Sequence, residues 1–342
     1  MSSSPQTTAP PIAEAGTIAA AVIALLTGAV AMGVSPVFVR YAEVGPFTSA
    51  FYRVTLALPL LALWARLESD GQSSPRWNRA TVLTGLFFAG DLIFWHLAIV
   101  NTTMANATFL ATTAPVWVLM GSGLFIGERV TRQMFLGLGF CLLGAGALVG
   151  SSMQLEPERL TGDLYGIITS MFFGAYFLAM RVARRSARPG LVLYRSTLVT
   201  AAALFLAALV MENDFTPASW TGVAALIAVA VISHSGGQGL LAFALGHLSA
   251  GFSSLVIFLE AVAAAFFGWL VFSETLSTLQ FAGGAAILVG IWVARPRNSR
   301  THTAPLAASG AAPVVAPDIA YEPGETPSSA ADSPVNAGAS TK

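Results

Sequence analysis

Six ionisable side chains fall inside long apolar stretches of this sequence: Arg53, Asp91, His96, Arg195, His234 and Glu260. An ionised group at the centre of a bilayer costs about 3 kcal/mol or more, so such residues mark a pathway or an ion pair. His96 and Glu260 are the pair suited to carrying protons, because imidazole changes charge near neutrality. A carboxylate at Asp91 or Glu260 also suits an ammonium group. Trp95 and Trp117, with Phe173, Tyr176 and Phe177, add aromatic surface. No hydrolytic or nucleotide-binding constellation accompanies them. The sequence has no Gly-x-Ser-x-Gly elbow, no Gly-rich loop ending in Lys and no His-Glu-x-x-His. Enzyme chemistry, ATP-driven pumping by this chain alone and a resident cofactor or metal are therefore not expected.

Residues four apart share one face of a helix. Asp91 and Trp95 do so, while His96 lies about 140° round from Asp91 at 3.6 residues per turn. That spacing predicts that only one of Asp91 and His96 faces a given axis, the other meeting a neighbouring helix. His234 and Gln238 are one turn apart, and Ser253, Ile257 and Glu260 share a face. The candidate binding set is thus Asp91, Trp95, His96, Thr112, Trp117, Tyr176, His234, Gln238, Ser253 and Glu260. Each has a plainer role beside the functional one. Asp91 could cap a helix, His96 could bond between helices, Glu260 could pair with an Arg, and the aromatics could simply pack. Tyr52-Arg53 and Tyr194-Arg195 form a second set. Each Arg stands about six residues into its stretch, roughly 9 Å below one membrane face. There it is either an anchor snorkelling to the interface or one of two equivalent gating latches.

The elements that must position these residues are set by composition. Of 342 residues 55% are hydrophobic and 10% charged, against about 25% charged in a soluble domain. Seventeen basic and seventeen acidic residues cancel, which leaves no electrostatic footprint for nucleic acid. The single Cys141 excludes an internal disulfide framework. A bilayer core needs roughly 20 apolar residues per helix. Ten stretches qualify, at 17–40, 47–66, 80–99, 104–126, 133–150, 163–181, 190–211, 218–243, 251–272 and 278–295. The expected fold is an all-α polytopic membrane protein. Residues 1–16 carry no Lys or Arg and read as a disordered tail before a retained first helix, not as a secretory signal. Residues 298–342, rich in Ala, Pro and Ser, read as a disordered cytoplasmic tail. With the N-terminus inside, thirteen basic residues fall in cytoplasmic segments, and only Arg40 and Arg159 fall outside. Both termini are therefore expected in the cytoplasm of a bacterial-type inner membrane.

The chain also repeats itself. A shift of 146 residues lays Gly127-Glu128 on Ser273-Glu274, and Phe135, Gly137, Leu142 and Gly144 on Phe281, Gly283, Leu288 and Gly290. Shifts of 142 and 141 lay Tyr52-Arg53 on Tyr194-Arg195 and Gly33 on Gly174. Residues 17–150 and 163–297 are then two five-helix repeats. An odd number of helices inverts the second copy, an architecture tied to alternating-access transporters with a site near mid-membrane. The register sets Gly90-Asp91 opposite Gly236-Gly237, and Ala114-Pro115 opposite Glu260-Ala261. Gly236, Gly237 and Gly239 weaken the eighth helix, and freed backbone there is expected to line a cavity. Gly146 and Gly150 form a small-xxx-small pattern for helix packing or for a weak homodimer.

These features resemble the drug/metabolite transporter superfamily, EamA family. The resemblance rests on the five-plus-five repeat, on Gly90-Asp91-Leu92-Ile93-Phe94-Trp95-His96 and on Thr103-Met104-Ala105-Asn106-Ala107-Thr108. Ser233-His234-Ser235-Gly236-Gly237-Gln238-Gly239 and Ala244-Leu245-Gly246-His247-Leu248 are similar too. YddG-type exporters of aromatic and other amino acids are the nearest subgroup. Two positions depart from the pattern, with Met32-Gly33 for Trp-Gly and Glu260-Ala261 for an amide or apolar residue before Pro. The resemblance implies a secondary exporter of small metabolites, amino acids foremost. A lipophilic-cation exporter is the alternative, and a lipid-headgroup enzyme or flippase ranks below both. The expected partners are a small-molecule substrate and the lipid bilayer, for a monomer or weak homodimer.

Overall fold

The computed structural model describes residues 12–69, 76–150, 157–273 and 276–295. Glu274, the tail at 298–342 and most of the tail at 1–16 lie outside them. Helix already begins at Ile12, within the stretch read as a tail. Among the described residues, nine apolar helices are long enough to cross a membrane, and a tenth is shorter. They are span 1 (Gly16–Arg40), span 2 (Pro46–Ser69), span 3 (Arg79–Asn101), span 4 (Asn106–Phe125) and span 5 (Arg132–Val149). Span 6 (Pro157–Ala183), span 7 (Pro189–Met211), span 8 (Trp220–Ala244), span 9 (Ala250–Phe272) and span 10 (Thr278–Ala294) follow. All ten fall where the hydropathy pattern sets them, within a few residues.

Lipid offers no hydrogen bonds, so helix ends must be satisfied by protein. Asn78, Thr103, Thr131, Ser219, Ser249 and Ser277 accept from the backbone N–H three residues on, and so cap spans 3, 4, 5, 8, 9 and 10. Spans 2 and 7 start instead with Gly45-Pro46 and Arg188-Pro189, which have no capping side chain. Each is capped from the other repeat. Phe47 N and Thr48 N donate to the Glu212 carboxylate at 2.8 and 2.9 Å. Gly190 N donates to Glu68 at 2.8 Å.

Four spans are broken near their middles. The breaks fall at Val34 in span 1, between Thr55 and Leu58 in span 2, at Thr112-Thr113 in span 4 and at Ile257 in span 9. Pro36, Pro59 and Pro115 stand in the first turn after the first three, where a missing N–H and a bulky ring stop the preceding helix. Span 9 breaks without a proline. Span 8 is π-helical over Val229–Gln238.

The repeat is visible in the packing. A Cβ on Gly144 would lie 2.5 Å from Gly283 O, and one on Gly283 would lie 2.6 Å from Gly144 O. Gly137 and Gly290 face each other in the same way at 2.6 and 2.7 Å. The 146-residue shift exchanges these two contacts, so a pseudo-two-fold axis passes between spans 5 and 10. Cys141 Sγ, 3.7 Å from Ile287 O, sits beside it. Gly33 against Glu260 O and Ala263 repeats as Gly174 against Ala114 O and Trp117. Two five-helix repeats are therefore inverted on one another. The close contact uses Gly137 and Gly144, whereas Gly146 and Gly150 have only looser neighbours, Phe109 at 3.6 Å and Leu279 at 3.8 Å. A Cβ at Gly144 must displace backbone, so Gly144→Ala is expected to lower stability by about 1–3 kcal/mol. Gly139→Ala, with open space around it, should be neutral in the same thermal unfolding measurement.

Candidate functional site

The broken spans surround a cavity of about 380 Å³. Span 1 contributes Met32, Ser35 and Arg40, span 2 Ser49 and Arg53, and span 3 Phe88, Asp91, Trp95 and His96. Thr108, Thr112 and Pro115 come from span 4, Phe173 and Phe177 from span 6, Gln238 from span 8, and Ser254, Ile257 and Glu260 from span 9. The breaks at Thr112-Thr113 and Ile257 border the cavity directly, as the repeat register predicts for the Ala114-Pro115 and Glu260-Ala261 loci.

Charge concentrates on one group of residues. Arg53 interacts electrostatically with Glu260 and Asp91, and its Nη1 donates to Ser35 Oγ at 3.5 Å. Its Nε has no hydrogen-bond partner among the described residues. A guanidinium and two carboxylates thus share one wall. His96 Nδ1 donates to Leu92 O at 2.6 Å, which leaves Nε2 as the acceptor in the neutral tautomer. Gln238 Oε1 accepts from Tyr176 OH at 2.6 Å, so the amide oxygen is committed and its NH₂ is the remaining group. The aromatic wall continues behind, with Phe88 and Phe173 packed on Tyr176 at ring separations of 4.9 and 5.9 Å.

Of the ten candidate binding residues, Asp91, Trp95, His96, Thr112, Gln238 and Glu260 line this cavity. Asp91 and His96 do so together, against the expectation that only one could. The cavity is broad where the four broken helices part, and it wraps span 3 through more than one face. Tyr176 stands behind the wall as the support of Gln238. His234 also lies behind it, fully buried, with Nε2 3.0 Å from Thr197 Oγ1. His234 and Gln238 both stand on the π-helical stretch of span 8, where Gln238 reaches the cavity and His234 does not. Trp117 donates its Nε1 to Ser170 Oγ at 2.8 Å and packs between spans 4 and 6. Ser253 is fully buried, and Ser254 takes its place on the cavity side. The span 8 glycines serve packing instead of lining a cavity. Gly237 lies against Met32 and Gly28 O, and Gly239 against Trp64.

The two arginines read as equivalent latches are not equivalent. Arg53 turns into the cavity, where two carboxylates attract it, instead of snorkelling outward. Tyr52 stays outside the cavity, its OH donating to Phe215 O at 2.9 Å. Arg195 stacks over Trp77 at 5.2 Å in a separate crevice, and Tyr194 is half-buried beside it on span 7.

One cluster went unread in the sequence as a site element. Arg181 donates its Nε to Glu128 at 2.6 Å and its Nη1 to Leu245 O at 2.7 Å. The other Glu128 oxygen accepts from Ala250 N at 2.8 Å, at the start of span 9. Arg184 donates to Ala242 O and Ala187 O, and Arg185 donates to Ile126 O at 2.8 Å. The Ile126, Ala242 and Leu245 carbonyls close spans 4 and 8, where cationic side chains complement the helix dipole, and Ala187 O lies before span 7. Burial lowers the Arg184 pKa to about 10, partly offset by the Glu68 carboxylate, so the cluster stays cationic at neutral pH. Leu119, Met180 and Leu241, on spans 4, 6 and 8, are all buried. The opposite end is where the cavity runs out, past Val39 and Arg40. The signal was present in the Gly127-Glu128-Arg129 turn and the Arg181–Arg185 run, which served the sequence reading only for orientation.

Comparison with known proteins fits this architecture. The chain is 30% identical over 198 residues to the pseudopaline exporter CntI of Pseudomonas aeruginosa, covering 56% of this chain and 64% of that protein. An uncharacterized transporter of Archaeoglobus fulgidus is 33% identical over 141 residues, 39% of this chain and 47% of that protein. The chain thus spans less than two thirds of the length of either relative. One crystal structure aligns over 81% of this chain and 96% of its own, with a TM-score of 0.71 and 19% identity, which speaks to the fold alone. The EamA-like transporter family matches twice, at residues 19–150 and 160–295, once for each repeat. With its ten apolar helices in two inverted copies, the chain belongs to the EamA-like transporter family.

Proposed function

We propose that the chain is a secondary transporter that exports small metabolites bearing both an ammonium and a carboxylate, amino acids foremost, by alternating access. The observation that carries this reading is Arg53 set among Asp91 and Glu260 in one cavity. A zwitterion complements that wall. Its carboxylate meets the Arg53 guanidinium and the Gln238 NH₂, and its ammonium meets Asp91 or Glu260 and the His96 Nε2 lone pair. Each such charge-assisted bond is worth roughly 1.5–3 kcal/mol. Trp95, Phe88, Phe173 and Phe177 then receive an apolar or aromatic side chain. A lipophilic monocation would satisfy the carboxylates but face Arg53. A phosphate headgroup, which an Arg at cavity depth would otherwise favour, meets two carboxylates. Support for the direction of transport comes from the relative named as an exporter. The excess of basic residues around the Arg181 cluster favours a cytoplasmic position for that end, with both termini inside an inner membrane. The cavity then opens outward, and the cluster is the seal that must part for loading.

Counterflow in proteoliposomes with labelled amino acids and a cationic dye tests the substrate class. Exchange of amino acids is expected, falling at least about tenfold in Arg53→Met and Glu260→Gln, the loss of one charge-assisted bond. Dye exchange without amino-acid exchange overturns the reading. If His96 and Glu260 carry protons, a pH gradient alone drives uptake into inverted vesicles, whereas indifference to it marks a uniporter.

Stability supplies a second check. Arg53→Met leaves two carboxylates without their counter-charge and is expected to cost about 1–3 kcal/mol. Adding Glu260→Gln should recover part of that loss, and strict additivity of the thermal shifts would count against the coupling.

For the seal, Glu128→Gln is expected to raise labelling of Ser254→Cys from the cytoplasmic side, in a Cys141→Ala background. Unchanged labelling would mean that the cluster only caps helices.

A further inference from the structure

Arg195 belongs to a crevice of about 150 Å³ that shares no lining residue with the central cavity. Among the described residues, Arg76, Asn78, Thr81, Ser186, Val192 and Arg195 line it, and the two charged ones of these are cationic. Asn78 Nδ2 donates to Ser186 Oγ at 3.0 Å and ties the segment before span 3 to that before span 7. Asn78 Oδ1 meanwhile caps Thr81 N at 2.7 Å, so the crevice wall is held on both sides. Trp77, half exposed beneath the Arg195 guanidinium, is the amphipathic residue type that settles at a membrane interface. From the crevice, Leu191 and Arg195 continue along one face of span 7 through Leu198 and Ala202, an apolar strip that is half-buried and then exposed.

We propose that this crevice holds the phosphodiester of an anionic phospholipid, with an acyl chain following the Leu198 and Ala202 strip. The volume suits a phosphate-sized group and is too small for a metabolite with an aromatic side chain. Two guanidinium groups suit a phosphodiester because their planar forks bond its oxygens in pairs. A free anion would use the same two arginines but gain nothing from the apolar strip. The lipid source is therefore favoured over soluble phosphate.

The test uses the full chain, purified and delipidated in detergent, with bound lipid counted by native mass spectrometry and stability followed by thermal unfolding. Phosphatidylglycerol is expected to bind and raise the unfolding midpoint, while phosphatidylcholine and inorganic phosphate do neither. Arg76→Gln with Arg195→Gln should weaken phosphatidylglycerol binding about tenfold or more, the loss of at least one charge-assisted contact. Arg79→Gln removes an exposed charge at the start of span 3 outside the crevice and should bind as the unaltered chain does. Should the double variant fold poorly, Arg195→Lys keeps the charge without the planar fork and is expected to bind more weakly at unchanged stability. Equal phosphatidylglycerol binding by unaltered and crevice-variant chains overturns the proposal. So does an equal loss in Arg79→Gln, which would point to bulk charge, or a matching shift with inorganic phosphate, which would point to a soluble anion.

Discussion

A bilayer supplies no hydrogen bonds, and every backbone group and charge held there must find its partner within the protein. That constraint organises most of what this structure does. Proline and weak helix formers interrupt four spans, and the interruptions of spans 1, 4 and 9 border one cavity. Spans 2 and 7, which start without a capping side chain of their own, borrow Glu212 and Glu68 from the opposite repeat. Arg181, Arg184 and Arg185 end on the carbonyls that close spans 4 and 8. Satisfying helix ends across the repeat boundary is also what binds the two repeats together. The glycine contacts between spans 5 and 10 do the same with bare backbone.

Much of this architecture was legible because it is written in patterns longer than one contact. Hydropathy fixed ten spans, and the repeat registers paired Gly33 with Gly174 and Gly137 with Gly283. Those registers also predicted that Ala114-Pro115 and Glu260-Ala261 would meet at one depth, and both loci border the cavity. What the sequence could not show was how far the cavity reaches around each helix. Ideal 3.6-residue geometry separated Asp91 from His96 and joined His234 to Gln238. The cavity is lined by both members of the first pair and, of the second, by Gln238 alone. Ser254 lines the cavity in place of Ser253, three residues before the break at Ile257.

Arg53 and Arg195 show a second limit. Their dipeptides match in the repeat, and matching residues invite matching roles. Environment decides otherwise, since span 3 supplies Asp91 and span 9 supplies Glu260 to one of them, while the other meets Trp77 and Arg76. Inverted repeats share a backbone plan, and their side chains diverge wherever a charge must be answered by a neighbour from elsewhere in the chain.

The two ends of the bundle differ in how they are closed, and that difference bears on motion. At the Arg181 end closure rests on charge-assisted hydrogen bonds to helix termini, many of them only partly buried. Such bonds exchange readily with water, so an end held by them can open at modest cost once solvent reaches it. The interface between spans 5 and 10 is of another kind. There carbonyl oxygens lie where a Cβ would be, and any sliding would leave backbone surfaces apart. Rigid packing at the pseudo-two-fold axis thus stands beside exchangeable bonds at the end. Span 8 lies between these regimes. Its π-helical segment already departs from the ideal hydrogen-bond pattern, carries Gln238 on the cavity and packs Gly237 on span 1, so a change of register there moves the site and the helix contact together.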